Sequence, residues 1–100
     1  MSFNDEKINN GLKIVIDGDI DLDNSEELRA HSMEQLSNNN VLHFDMSKVG
    51  YIDSSGVSVL IELHQYADEE DKEVVISNPS DQVTSVLEMA KLLDFFNISK

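Results

Sequence analysis

Three short apolar runs recur along this chain, with enough residues between neighbours for a helix, and that alternation limits the fold more than any other feature. They are Leu12-Lys13-Ile14-Val15-Ile16-Asp17, Val41-Leu42-His43-Phe44-Asp45-Met46 and Val74-Val75-Ile76. β-branched and aromatic residues in runs this short read as strands, and the second is predicted to be buried. An extended opening, Phe3 to Ile8, leads into the first run through Asn9-Asn10-Gly11. Asn-Gly between extended segments predicts a hairpin closed by a tight primed turn, since both residues tolerate positive φ. A helix is predicted from near Asp23-Asn24-Ser25 to about Ser37, with Glu26 and Glu27 in the first turn, where the helix dipole favours anions. Its apolar stripe is thin: Leu28, Met33 and Leu36. In a second helix Val57, Leu60, Ile61, His64 and Ala67 share one face, which Val59 and Leu63 widen. A third helix from Ser80 carries Val83, Val86, Leu87 and Ala90, followed by Leu93 and an apolar tail of Phe95, Phe96 and Ile98. The order is β-β-α-β-α-β-α, with a final extended piece allowed for. Crossover helices between strands imply an α/β fold with a mixed, largely parallel sheet and an antiparallel hairpin on one side.

Composition narrows the function classes. A chain of 100 residues, 40% of them hydrophobic, suits one domain spanning residues 1–100 with a modest core. Seven Lys and Arg against twenty Asp and Glu leave a net charge of −13. That charge repels a phosphate backbone or an anionic leaflet, so neither nucleic acid nor membrane surface is an expected partner. The absence of cysteine excludes disulfides, thiolate metal sites and a cysteine nucleophile. No apolar run nears the ~20 residues of a membrane span, and Met1 to Gly11 lacks the basic start and apolar middle of a signal peptide. The expectation is a soluble, cytoplasmic protein. His31, His43 and His64 lie on three different elements without ligand spacing and read as structural. No Gly-rich phosphate loop, nucleophile elbow or zinc spacing is present, so an enzyme is not expected.

One segment stands apart: Phe44-Asp45-Met46-Ser47-Lys48-Val49-Gly50-Tyr51-Ile52-Asp53-Ser54-Ser55-Gly56-Val57. A strand ends, a short loop passes, and two adjacent hydroxyls open a helix. One reading is an ordinary cap, in which Asp53 or Ser54 accepts bonds from the first-turn N–H groups and Gly56 permits a close approach. The other is a modification site. A phosphate on a serine here would meet free N–H donors and the positive end of the helix dipole, and would add ~1.5–2 negative charges to the surrounding surface.

The sequence resembles the STAS family, in its form as the domain of bacterial anti-sigma factor antagonists. The resemblance rests on Gly18-Asp19-Ile20-Asp21, on Phe44-Asp45-Met46-Ser47 with Val49, and above all on Ile52-Asp53-Ser54-Ser55-Gly56-Val57. It implies a mixed sheet with helices packed mainly on one face. It also implies a protein-binding module and not an enzyme: an anti-sigma factor with serine kinase activity binds the loop and the following helix, phosphorylates the serine before the glycine, and a cognate phosphatase reverses the step. On this chain the resemblance makes Ser55 the acceptor, with Asp21, Asp45, Asp53, Ser54, Gly56, Val57 and Ser58 around the contact. No cofactor is implied, because the kinase brings the nucleotide and metal. Antagonists often carry glycine after the second helix and near the end of the third, where this chain has Glu69 to Lys72 and Ala90-Lys91. Met89-Ala90-Lys91-Leu92 also resembles the STAS subunit of a lipid-asymmetry ABC transporter, which binds a cytoplasmic ATPase without a phosphorylation cycle.

Overall fold

The computed structural model of the protein describes residues 1–99. The chain runs β1 (Ser2–Ile8), β2 (Gly11–Asp17), α1 (Ser25–Asn38), β3 (Val41–Lys48), α2 (Ser54–Glu69), β4 (Glu73–Ser77), α3 (Asp81–Met89) and β5 (Asn97–Ser99). One five-stranded sheet holds the strands in chain order; β1 pairs antiparallel with β2, and the remaining neighbours are parallel. This is the α/β architecture and the element order expected from the sequence, with the final extended piece present as β5. Each parallel pair is joined by one helix, and right-handed crossovers taken in strand order place every helix on the same side. The core forms between that sheet face and the helices: Ile14, Leu42, Phe44 and Ile76 pack against Leu28, Leu60 and Leu63.

Several local expectations need correction. Strand β3 is buried on one side only, with Leu42, Phe44 and Met46 in the core and Val41, His43 and Asp45 half-exposed on the helix-free face. Helices cover one side of the sheet, so alternation survives where a doubly covered strand would lose it. The β1–β2 hairpin exists, but its two loop residues are Asn9 and Asn10, with Ile8 opposite Gly11. Neither asparagine has positive φ, and Gly18 is the one glycine that does, so the turn is not primed. Gly11 is required for another reason: a Cβ there would lie 1.9 Å from the Val41 carbonyl oxygen.

The inward stripe of α1 is Ser25, Leu28, Ser32 and Leu36. Half of it is serine, which is why the apolar pattern looked thin. In α2 the buried stripe is rotated toward Gly56, Val59 and Leu63, with Leu60 and Ala67, while Val57, Ile61 and His64 flank it half-buried. In α3 Val83 and Leu87 are buried, but Ala90 is the exposed C-cap and leaves the core face. Helices α2 and α3 end alike. The Lys72 N–H reaches the Ala67 carbonyl at 2.8 Å and the Leu92 N–H reaches the Leu87 carbonyl at 2.8 Å. The intervening Asp71 (φ 57°) and Lys91 (φ 62°) are left-handed, as the C′ residue of a Schellman motif must be.

Candidate functional site

The loops that follow β2 and β3 continue the sheet beyond its regular strands. Gly18, at φ 104°, turns the chain and donates its N–H to the Lys48 carbonyl at 3.1 Å. The Ile20 N–H then donates to the Tyr51 carbonyl (2.9 Å), and the Asp53 N–H donates to the Ile20 carbonyl (3.1 Å). Ile20 and Ile52 thus pair as an isolated parallel bridge, and both side chains are buried in the core. Polar side chains fold the first loop on itself. The Asp21 N–H donates to Asn24 Oδ1, Asn24 Nδ2 donates to the Asp19 carbonyl, and the Asp23 N–H donates to Asp21 Oδ1, all at 2.9–3.0 Å. Asp and Asn are the residues whose short side chains replace backbone partners in this way.

Asp53 is the N-cap of α2, in extended conformation, and its carboxylate is fully used. Oδ1 accepts from the Ser55 N–H (3.0 Å), the Gly56 N–H (3.2 Å) and the Ser55 hydroxyl (2.5 Å). Oδ2 accepts from the Leu22 N–H on the other loop (3.1 Å). These bonds hold the Asp53 carboxyl below the ordinary carboxylate value, the Ser55 hydroxyl contributing most and the Gly56, Ser55 and Leu22 amides adding to it against a desolvation penalty. The Val57 N–H is also taken, by the Asp53 carbonyl at 3.0 Å. The expectation of free N–H donors at Ser55 is therefore corrected: the cap already occupies the donors of Ser55, Gly56 and Val57, so an added phosphate must compete with Asp53.

Gly56 is buried, and a Cβ there would sit 2.7 Å from both Ile20 Cγ2 and Ile52 Cγ1. The helix start is thereby pressed onto the bridged loops. Ser54 and Ser58 are exposed, Ser55 is half-buried, and Val57 is half-buried against the core. Asp21 belongs to the loop that Asp53 holds through Leu22. Asp45 lies on the helix-free face, where its Oδ1 accepts from the Ser47 N–H (3.0 Å) and hydroxyl (2.8 Å) and makes no bond to the loop serines.

Leu22 (75% exposed) and Tyr51 (53% exposed) are large apolar side chains that the sequence reasoning did not single out. The available signal was an apolar residue inside a turn-forming stretch with no periodic partner. Both sit on the loops that flank the helix start, Leu22 through its N–H bond to Asp53 and Tyr51 two residues before that cap. Elsewhere the histidines make structural contacts: His31 with Asp5 at 2.9 Å and with the Phe3 ring, His43 with the Ser77 hydroxyl at 3.0 Å, His64 with the rings of Phe95 and Phe96. Among the described residues no group of three or more His, Cys, Asp or Glu is placed to hold a metal ion, and no helix is long and apolar enough to cross a membrane. A hollow of about 270 Å³ beside Glu88, Lys91, Leu93 and Asp94 lies past the C-terminal end of α3, away from the start of α2.

The same architecture occurs in solved antagonists. An anti-sigma factor antagonist from Mycobacterium paratuberculosis superposes with a TM-score of 0.87 at 15% identity, over 98% of this chain and 84% of that one. The anti-sigma factor antagonist SpoIIAA in its unphosphorylated form gives 0.82 at 19% identity, over 99% and 89%. Bacillus SpoIIAA in its phosphorylated form gives 0.76 at 18%, over 99% and 92%. At such identities the likeness is one of fold. Sulfate transporter 3.1 of Arabidopsis thaliana is 39% identical over 49 residues, which are 49% of this chain and 7% of that protein's length. Residues 2–100 match the family model of the STAS domain, and the chain belongs to that family.

Proposed function

We propose that this protein is an anti-sigma factor antagonist: a non-catalytic binding module whose docking is switched by reversible phosphorylation of Ser55. The observation that carries the reading is the Ser55 hydroxyl at the first turn of α2, half-buried and held by Asp53, between the exposed Ser54 and Ser58. The hydroxyl stands on a helix start capped by Asp53, and Leu22 and Tyr51 on the adjoining loops expose apolar surface that a partner could use. Asp21, Asp53, Ser54, Gly56, Val57 and Ser58 frame the docking surface, and Asp45 supports the strand behind it. The partner on this reading is an anti-sigma factor with serine kinase activity, opposed by a phosphatase, in the cytoplasm. The kinase supplies nucleotide and metal, which accords with a chain that is the substrate of the step and not its catalyst. Phosphate on Ser55 adds ~1.5–2 negative charges to a chain already at −13 and places bulk in the contact, so the complex separates.

The direct experiment is incubation with a kinase-type partner and ATP, followed by intact mass and peptide sequencing. One phosphate on Ser55 is the expected result; none, or one placed outside Ser54 and Ser55, rejects the reading. In a pull-down, Ser55→Ala should bind and resist switching, whereas Ser55→Asp should bind at least tenfold more weakly. Equal binding by both variants would remove the charge-gating step.

A further inference from the structure

We propose that the Asp53 carboxylate passes the state of the Ser55 hydroxyl to the Asp19–Asn24 loop, holding the Leu22 amide while the hydroxyl is free and releasing it when the hydroxyl carries phosphate. The inference rests on the reading of Ser55 as the acceptor and adds a second place where the modification is felt. Oδ1 takes the Ser55 hydroxyl and the Ser55 and Gly56 amides, while Oδ2 of the same rigid plane takes the Leu22 amide. In the modification a bond forms between Ser55 Oγ and the γ-phosphorus of a nucleoside triphosphate carried by the kinase. The phosphoanhydride bond breaks, the nucleoside diphosphate leaves, and the hydroxyl proton passes to a base on the kinase. Oγ is then an ester oxygen without a hydrogen, facing Oδ1 at a separation of 2.5 Å in the unmodified protein. Two acceptors do not share that distance.

The new dianion also competes for the Ser55 and Gly56 amides, the same donors the carboxylate now holds. Phosphate brings more charge and three acceptor oxygens to the positive end of the helix. A carboxylate that yields Oδ1 turns as one plane, and Oδ2 leaves the Leu22 N–H with it. The Asp21–Asn24 and Asn24–Asp19 bonds do not pass through Asp53. The change is therefore confined to the Leu22 amide, without melting the loop. Leu22 is the most exposed large apolar residue on this surface, so its release alters what a partner meets beyond the phosphate itself. Asp53 is in this sense a positioning residue: it acts through Leu22. That the Ser55 hydroxyl is the largest influence lowering the Asp53 carboxyl agrees with the tight coupling.

The test uses the full chain with phosphoserine installed at position 55 during synthesis, so that no kinase is needed, and reads amide hydrogen exchange by NMR. The Leu22 amide should exchange at least tenfold faster than in the unmodified protein, with the Asp21 amide unchanged. Ser55→Ala, which removes the hydroxyl without adding charge, should leave Leu22 within twofold. Asp53→Asn keeps one oxygen for the α2 amides but turns an NH₂ donor toward Leu22. It should speed Leu22 exchange on its own, while Gly56 stays protected, and abolish the response to phosphoserine. Leu22 exchange within twofold in the phosphoserine protein overturns the relay, because Ser55 has then swung outward and left Asp53 in place. Fast Leu22 exchange with undiminished partner capture keeps the relay and removes the switching function; partner release with an unmoved Leu22 does the reverse.

Discussion

Gly56→Ala tests how tightly the start of α2 is pressed onto the bridged loops. The added methyl would meet Ile20 Cγ2 and Ile52 Cγ1 at 2.7 Å, with Ile52 Cδ1 at 3.2 Å. Two of these atoms sit one bond from the Cβ of side chains that are at most 1% exposed, so neither can swing away as the tip of a flexible chain could. Overpacking of this kind costs about 1–3 kcal/mol, whereas replacing a helical glycine by alanine returns about 0.5–1 kcal/mol. The net expectation is a loss of about 1–2 kcal/mol, which for a chain of this size lowers Tm by roughly 5–10 °C. Thermal and urea unfolding followed by circular dichroism measure it. A double-mutant cycle with Ile20→Ala fixes the cause: removing the clashing side chain should make the Gly56→Ala penalty smaller by ~0.5 kcal/mol or more. A Gly56→Ala protein as stable as the parent, or a penalty unchanged by Ile20→Ala, would refute the close approach as the reason glycine stands there.

Ser32 buries its hydroxyl oxygen in α1 without a partner, so Ser32→Ala should stabilise the fold by about 1 kcal/mol, read as an upward shift of the urea midpoint. Asp71→Gly and Lys91→Gly relieve left-handed backbone at two exposed C′ positions, and each should add about 0.5–1 kcal/mol, Lys91 more than Asp71 because aspartate tolerates that region better. The Asp53 carboxyl is depressed from its ordinary 3.8 when folded, chiefly by the Ser55 hydroxyl. Its contribution to stability is therefore complete above the unfolded value and disappears as pH falls through the lower folded one. Carboxyl NMR titration should show this carboxyl moving back up in Ser55→Ala, with the acid limb of the stability profile flattened in that variant.

Much of the fold was legible because local signals and tertiary demands agreed. The apolar runs became strands, the acidic first turn and Ser25 marked α1, and Asp53 marked the start of α2. What was misread depended on which sides of an element are covered. Strand β3 looked buried throughout because Val41, Phe44 and Met46 are all apolar, and only the placement of the helices shows that one face stays half-open. The stripe of α2 was centred on the wrong residues because Gly56 carries no hydrophobic signal, although its missing side chain is what sets the helix rotation against Ile20 and Ile52. Asn10-Gly11 suggested a primed turn, whereas the glycine answers to the carbonyl of Val41, thirty residues on in the chain. The positions where glycine was missing after α2 and α3 have a plain physical reading: they are C′ sites that Asp71 and Lys91 fill at the cost of a strained φ. In the candidate site, the cap and its serines could be read from sequence, but the bond from the Leu22 amide to Asp53 Oδ2 could not. It joins residues from separate loops that neighbour each other only because Ile20 and Ile52 pair.

The placement of Ser55 separates what the fold needs from what a switch would change. In α2 the residues fixed in the core begin at Val59 and Leu60 and continue through Leu63 and Ala67, so they lie a turn or more beyond the hydroxyl. The first turn is attached by a different set of contacts, the Asp53 carboxylate and the Gly56 approach. A dianion on Ser55 would disturb the first of these without entering the core, and the dipole of a 16-residue helix would favour it by up to ~1 kcal/mol. The same charge placed at Ser32, fully buried in the middle of α1, would have neither a dipole end nor solvent and would unfold the protein. If Ser55 is the acceptor, the fold and the proposed docking surface are held by different contacts, and one charge would act on the second alone. On the proposed reading, Ser55 is placed to carry a charge that the fully buried hydroxyl of Ser32 could not.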